Sequence, residues 1–533
     1  MKKNMKNILL IVFISLLLSN LTLAQSDVNT DKKIVSALEI IQIAYVDTVN
    51  GEELVEKAIV AMLKELDPHS VYMSKKEVEK ANEPLEGNFE GVGIQFQIYK
   101  DTILVIAAIP GGPSDKLGIL PGDKIIRIEG EDAFGEDIDN QFVIDNLRGK
   151  RGSKVDVEIY RKGHKNLLEF TITRDKIPIN SLDAAFMVDE EVGYIKINRF
   201  ARKTMEEYEE AMKELQQKGM EHLILDLRGN AGGYLQTSID LADDYIKKGE
   251  LILYTEGRSS ARKNYRATSK GMFEKGRLIV MIDEGSASAS EIVSGAVQDL
   301  DRGLVIGRRS FGKGLVQRPY MLPDGSVIRL TTARYHTPSG RCIQRPYENG
   351  KKDYYNDIIE RLEHGELMHE DSIHFPDSLT FYTSNKRLVY GGGGVMPDIF
   401  VPLDTNRASD YYFDLFRKNI MNGFILDYME KNRAALSEKY ADFDSYKKNF
   451  TVSEELCEEL YTYAEEKDLE RKEDEIEAAE IYIKTMLKAH IARNLFEMNA
   501  YYEIVSGIDD GFLRAVEMIK DQKYFKENKL MHK

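Results

Sequence analysis

The sequence predicts a multidomain α/β (α+β) chain, and three observations lead there. Apolar strand candidates alternate with helices from residue 193 to about 403. Short strands with Gly-rich turns precede them. A Glu/Lys-rich zone with helical periodicity and no proline follows them. A chain of 533 residues has room for three or four domains, and 42% apolar with 30% charged residues is ordinary for folded protein. The net charge of −16 leaves no basic excess to neutralise a phosphate backbone, which excludes a general nucleic-acid binder.

Taken in order, the chain opens with Lys2, Lys3 and Lys6, an apolar run over residues 8–18, and small residues Thr22 and Ala24 at −3 and −1 before Gln25. A basic start, a short apolar core and small residues at the cut read as a secretory signal peptide over residues 1–24. An uncleaved anchor is the alternative. No later apolar stretch reaches the roughly 20 residues a spanning helix needs, so the mature protein is expected to be soluble. Residues 27–85 form a helical N-terminal region: Ile34, Leu38, Ile41 and Tyr45 share one helical face, and Leu66-Asp67-Pro68-His69-Ser70 breaks the pattern with a turn.

Residues 86–175 change to strands at about 94–98, 103–106, 124–128, 155–159 and 168–172, with helices near 114–117 and 138–147. Residues 176–405 read as the α/β core. Strand candidates lie at 194–197, 222–227, 251–255, 278–282 and 304–306, with helices near 203–217 and 288–300, and Asp324-Gly325 marks a hairpin turn. Residues 406–533 form a helical C-terminal domain. Cys342 and Cys457 sit in segments of different character, and no disulfide is expected between them.

Three constellations carry chemistry. Ser286-Ala287-Ser288-Ala289-Ser290-Glu291 follows an apolar strand at the head of a helix, where small neighbours admit a carbonyl and free N–H groups can stabilise an oxyanion. Ser288 and Glu291 also have the spacing of a capping box. Phe311-Gly312-Lys313-Gly314 sets a lysine between glycines without the phosphate-loop pattern. It reads as a surface turn or, if desolvated, as a neutral amine able to act as a general base. Asp226-Leu227-Arg228-Gly229-Asn230-Ala231-Gly232-Gly233 ends an apolar strand and reads as a plain turn or as glycines aiming an N–H into a cleft.

Together these motifs, with the 25-residue interval from Ser288 to Lys313, resemble the carboxy-terminal (tail-specific) processing proteases, peptidase family S41. The resemblance covers residues 30–404 and includes the turn at 66–70, Tyr335-His336-Thr337-Pro338-Ser339-Gly340-Arg341, and the segment 391–398. It implies a ClpP/crotonase-like serine protease core with an inserted PDZ domain, flanked by the helical N-terminal segment and helical C-terminal domain. It also implies Ser288 as nucleophile, Lys313 as general base, Gln317 as the residue orienting the lysine, and an oxyanion hole from Gly233 (within one residue) and Ala289. Gly91, Val92, Gly93 and Ile94 look like a PDZ carboxylate loop, with Phe142 and Val143, and Ile138 beside them, on the following helix as candidates for the side-chain pocket.

The implied function is an exported, periplasmic serine endopeptidase that captures exposed C-terminal tails of substrate proteins and hydrolyses them through an acyl-enzyme. No cofactor and no metal are expected, because His364, His369 and His374 fit no ligand spacing. A regulatory or adaptor protein and a homo-oligomer, a dimer, complete the expected partners. His336 is a rival base, read more readily as a cleft wall or strand residue. The rival functions are a catalytically silent PDZ scaffold or chaperone-like binding protein, and a crotonase-like acyl-transfer enzyme, for which no coenzyme feature is present.

Overall fold

The computed structural model describes residues 30–403 and 409–530; the expected signal peptide and the boundary near 405 lie outside them. A six-stranded sheet forms the centre. Its strand order is Leu182–Met187, Val192–Ile197, His222–Asp226, Leu278–Ile282, Leu304–Gly307, Ile399–Phe400. The first pair is antiparallel and the rest are parallel. His222–Asp226 and Leu278–Ile282 are buried at every position, as continuous apolar runs require when both faces of a sheet are covered. Helices Thr204–Gln217, Leu235–Tyr245 and Ala289–Asp299 cover one face through Tyr208, Leu241, Tyr245 and Val293.

The other face is covered from the far end of the chain. Phe512, Ala515, Met518 and Ile519 of helix Asp510–Lys520, then Phe525 and Leu530, pack on Tyr194, Ile224, Ile279, Met281 and Ile306. The residues expected to form a separate C-terminal domain therefore divide in two. Most build their own helical core, from Tyr411 to Ile504, while the last turns complete the central sheet. Cys457 is buried in that helical core, and both thiols are free. Glu473–Val505 bends where Phe496 and Glu497 leave helical geometry. No helix among the described residues is long and apolar enough to cross a membrane.

A second sheet has the order Val71–Met73, Val327–His336, Leu251–Gly257, Ser260–Arg266, and Leu315–Met321 also pairs with Val327–His336. The Asp324-Gly325 turn joins Leu315–Met321 to Val327–His336 as expected. The strand expected near 251–255 belongs to this sheet rather than to the parallel one, because its neighbour Ser260–Arg266 folds back on it antiparallel. The N-terminal region is not purely helical: after Thr30–Ala44 and Gly51–Lys64, Val71–Met73 joins this second sheet. Asn50 caps Gly51–Lys64 by accepting the Glu52 and Glu53 N–H groups, and Ser74 and Glu77 form a capping box on Lys75–Glu86.

Residues 88–178 form the inserted module. Its sheet has the order Ile94–Tyr99, Thr102–Ala108, Lys124–Ile128, Lys154–Tyr160, Leu168–Thr173, and helix Asn140–Leu147 packs on it. The antiparallel pair Asn88–Gly91 and Asp175–Pro178 forms its stem to the core. The C-terminal helices grip it: Asn422 Nδ2 donates to Gln97 Oε1 at 2.8 Å, Lys100 pairs with Asp427 at 3.1 Å and Lys124 with Glu430 at 3.5 Å.

Candidate active site

The three carboxyl-end loops of the parallel strands meet at Ser288. Of the three serines in the S-A-S-A-S-E element, two are structural stitches. The Ser286 hydroxyl donates to Leu227 O at 2.8 Å and the Ser290 hydroxyl to Asn230 O at 2.8 Å, and both residues are fully buried. Ser288 alone is partly exposed. It sits at the head of helix Ala289–Asp299 with φ +54°, a left-handed conformation that a non-glycine residue adopts only when its surroundings impose it. The imposing group is Glu291, whose Oε2 accepts the Ser288 N–H at 2.7 Å.

Glu291 does more than cap. Its Oε1 also accepts the Ser310 hydroxyl at 2.6 Å and the Gly312 N–H at 2.7 Å, and its Oε2 the Lys313 N–H at 2.9 Å. One buried carboxylate thus ties the Ser288 loop to the Lys313 loop. Burial pushes its carboxyl above the ordinary range, and the four donors oppose that push. The Phe311 N–H donates to Ser286 O at 2.9 Å as a second tie between the loops. The Tyr335 hydroxyl holds Ser288 O from above at 3.2 Å.

The glycine loop lies against the serine. Gly232 has φ +101°, and a Cβ there would stand 3.0 Å from both Ala289 N and Ser288 Cβ; at Gly233 it would collide with Phe200 O at 2.1 Å. Only glycine fits this double approach. The Gly232 N–H is engaged by Asn230 Oδ1 at 2.9 Å. Among the described residues the N–H groups of Gly233 and Ala289 carry no hydrogen bond, and Ala289 is the first residue of its helix, where none is available within the helix. Two unengaged donors therefore lie on the two loops that approach each other at Gly232 and Ser288.

Lys313 is half-buried, and its Nζ makes no hydrogen bond or ion pair among the described residues. Burial lowers its pKa from the ordinary lysine value, Arg329 lowers it further, and Glu291 and Asp67 oppose the shift. Gln317 is the third residue of strand Leu315–Met321. Its Nε2 donates to Thr331 Oγ1 at 3.3 Å, and no hydrogen bond links it to Lys313. His336 is a strand residue as expected: Nδ1 lies 3.1 Å from Gly340 O and the ring stacks on Tyr254. Arg341 of the same motif is fully buried against Asp299 at 2.8 Å.

Three functional neighbours escaped the sequence reading. Glu291 was visible only as a capping residue. Asp67 and His69 belong to the turn at 66–70, where the motif was visible but its placement beside Lys313 was not. Burial and the Lys313 charge hold His69 neutral, with a pKa of about 4.

Below the glycine loop, Arg228 donates to buried Asp226 and, at 2.7 Å, to Asp509 Oδ2 from the C-terminal region. Lys196 lies 3.5 Å from Asp226. Burial would raise the Asp226 pKa, but Arg228 and Lys196 hold it well below the usual carboxylate range.

Among the described residues one cluster, Glu191, Glu221 and His222, has metal-ligand spacing. It lies at the opposite, amino end of the strands, with both carboxylates exposed and Arg277 beside His222.

In the inserted module, Ile94–Tyr99 is an edge strand with its outer side unpaired by any strand. The Val92 carbonyl is held by the Ser114 N–H at 3.1 Å and hydroxyl at 2.7 Å, and the Val92 and Gly93 N–H groups carry no hydrogen bond among the described residues. Gly91 ends the stem strand and Ile94 opens the edge strand. Phe142 is half-buried on the helix beside this edge. Val143 is a correction to the expected pocket: it is 1% exposed, because it and Leu147 form the helix face turned into the module core.

A serine with positive φ, two unengaged amides and a half-buried lysine in the α/β core, with a PDZ-like module inserted ahead of it, are features of a serine endopeptidase. Residues 191–350 match peptidase family S41, 91–172 the PDZ domain, 17–77 the N-terminal domain of the activating protease CtpB, and 411–497 a family of unknown function. Over 329 residues the chain is 37% identical to the carboxy-terminal processing protease CtpB of Bacillus subtilis, covering 60% of this chain and 68% of that one. It is 35% identical over 310 residues to the carboxy-terminal-processing protease of Bartonella bacilliformis, covering 57% and 70%. Among solved structures, the photosystem II D1 C-terminal processing protease is similar at 25% identity and a TM-score of 0.36, covering 69% of this chain and 92% of that one. The chain belongs to the carboxy-terminal processing proteases of peptidase family S41.

Proposed function

We propose that this protease works through a Ser288/Lys313 dyad and an acyl-enzyme. Neutral Lys313 takes the Ser288 hydroxyl proton as Oγ attacks the peptide carbonyl. The Gly233 and Ala289 N–H groups receive the developing oxyanion. Collapse expels the amine, which takes the proton back from Lys313. Water, activated by the same lysine, then releases the acyl group. Gln317 holds the lysine in place. The observation that carries this reading is the pair of unengaged N–H groups beside the one serine of three whose hydroxyl is not stitched to a loop.

Substrate tails add to the open edge Ile94–Tyr99, with the terminal carboxylate on the amides of the loop 91–94 and the last side chain near Phe142. The reading includes export by residues 1–24 to the periplasm, where unfolded protein tails are the substrates. Degradation of an unstructured protein by the chain from Gln25 onward tests it, beside Ser288→Ala and Lys313→Ala. Cleavage by the parent alone is expected; cleavage that survives Lys313→Ala would overturn the dyad. Recovery of the full-length chain in the cytoplasmic fraction, with residues 1–24 still attached, would overturn export.

A further inference from the structure

The turn at 66–70 contributes no atom to the dyad, yet it is wired to it. Asp67 is buried, and its carboxylate only accepts hydrogen bonds. Oδ1 takes the His69 N–H at 2.8 Å, the Ser70 N–H at 3.0 Å and the Thr331 hydroxyl at 3.0 Å, while Oδ2 takes the Ser70 hydroxyl. Ser70 Oγ in turn accepts the Thr331 N–H at 3.1 Å. Strand register explains the meeting: Val71 lies opposite Arg329 on one side of the long strand Val327–His336, and Gln317 lies opposite Thr331 on the other.

A hydroxyl has one hydrogen. Thr331 directs it to Asp67, so towards Gln317 it can only accept, and the Gln317 NH2 donates to it. An amide pinned by its nitrogen turns its carbonyl oxygen the other way. That oxygen is an unengaged acceptor among the described residues, and the Lys313 amine lacks one. If the amide were reversed, its NH2 would face the amine and compete for the lone pair that must receive the serine proton.

We propose that Asp67 is a positioning residue of the reaction: through Thr331 it sets the polarity of the Gln317 amide, so that the carbonyl oxygen is presented to Lys313. This rests on the Ser288/Lys313 reading. The titratable groups facing the lysine are Asp67 and the neutral His69 from the turn, Glu291 from helix Ala289–Asp299 and Arg329 from the long strand Val327–His336; Arg345 and Lys351 face His69. The N-terminal region thereby enters the base side of the cleft with a defined chemical task.

The test compares Thr331→Val, Thr331→Ser, Asp67→Asn and Lys313→Ala in the chain from Gln25, measuring kcat and KM on a peptide substrate across pH, with thermal unfolding for each variant. Thr331→Val is expected to lower kcat about tenfold or more with KM unchanged, since a small misplacement of a catalytic group costs that much. Thr331→Ser keeps the hydroxyl and restores kcat. Asp67→Asn loses kcat and moves the ascending limb of the pH profile to lower pH, because removing the anion disfavours the ammonium form. With Lys313→Ala inactive, the proposal is overturned by a parental kcat and pH limb in Thr331→Val. It is equally overturned by losses that follow the folded fraction and are no smaller in Thr331→Ser. Activity in Lys313→Ala overturns the dyad reading itself.

Discussion

The two sides of the proposed catalytic cleft, that of the nucleophile Ser288 and that of the base Lys313, are built by different means. The nucleophile side is local: residues 226–233 and 283–291 are loops at the carboxyl ends of adjacent parallel strands, stitched by Ser286, Ser290 and the Gly229–Asp283 bond. The base side is assembled from distant segments. Asp67 from the N-terminal turn acts on the charge of Lys313, Gln317 and Thr331 come from a hairpin, and Gln344 accepts the N–H of the neighbouring Gly314 at 2.9 Å. Glu291 joins the two sides. The difference teaches that the oxyanion site stands or falls with the central sheet, whereas the base can be displaced while that sheet stays intact.

The largest expected effect is at the nucleophile. Ser288→Ala should lower turnover of an unfolded substrate by about 10⁴-fold or more, with unchanged thermal unfolding. Lys313→Ala should cost about 10²–10⁴-fold, and Lys313→Arg should not rescue it, since a guanidinium stays protonated. In the proposed dyad only the deprotonated amine accepts the serine proton, and because burial lowers the Lys313 pKa, activity should fall as pH drops through a limb below the ordinary lysine value.

Glu291→Gln sharpens the comparison at its joint. A side-chain amide cannot accept all four donors, so a loss of stability of about 1–3 kcal/mol should accompany a loss of activity. A variant that stays active would show that the two sides do not need their common tie.

The smallest effect is a stability shift on the base side. His69 has its folded pKa depressed to about 4, against about 6.5 for an exposed histidine. Between these values the unfolded chain binds more protons, so stability should fall as pH drops from about 6.5 towards 4. His69→Gln should flatten that slope in thermal unfolding measured at several pH values. An unchanged slope would place the titration elsewhere.

Much of the nucleophile side was legible because it is contiguous: an apolar strand, then small residues and a serine, reads directly as a strand-to-helix turn. The strands 278–282 and 124–128 also lie where periodicity places them. The base side was legible only in Lys313 and Gln317. Asp67 lies 264 residues from Thr331, and no local pattern joins them. Leu251–Gly257 was legible as a strand but not as a member of the second sheet for the same reason, since an apolar run records burial and not its partner strand. Val143 was assigned to the pocket because two adjacent helical residues cannot be told apart until the helix face is known. Helix Asp510–Lys520 gave no sign that Phe512 and Met518 complete the central sheet.

That last feature sets an order of events. Protein synthesis runs from the amino end, so the parallel sheet, the serine and the lysine all leave the ribosome before residues 509–530. Until they arrive, the outer face of the sheet lacks its cover, and Lys196 and Arg228 oppose a single buried Asp226 without Asp509. In that condition the sheet still presents Tyr194, Ile224, Ile279, Met281 and Ile306 without the apolar residues that bury them. Residues 509–530 thus close the sheet that carries the Ser288 loop only after the rest of that sheet has been made.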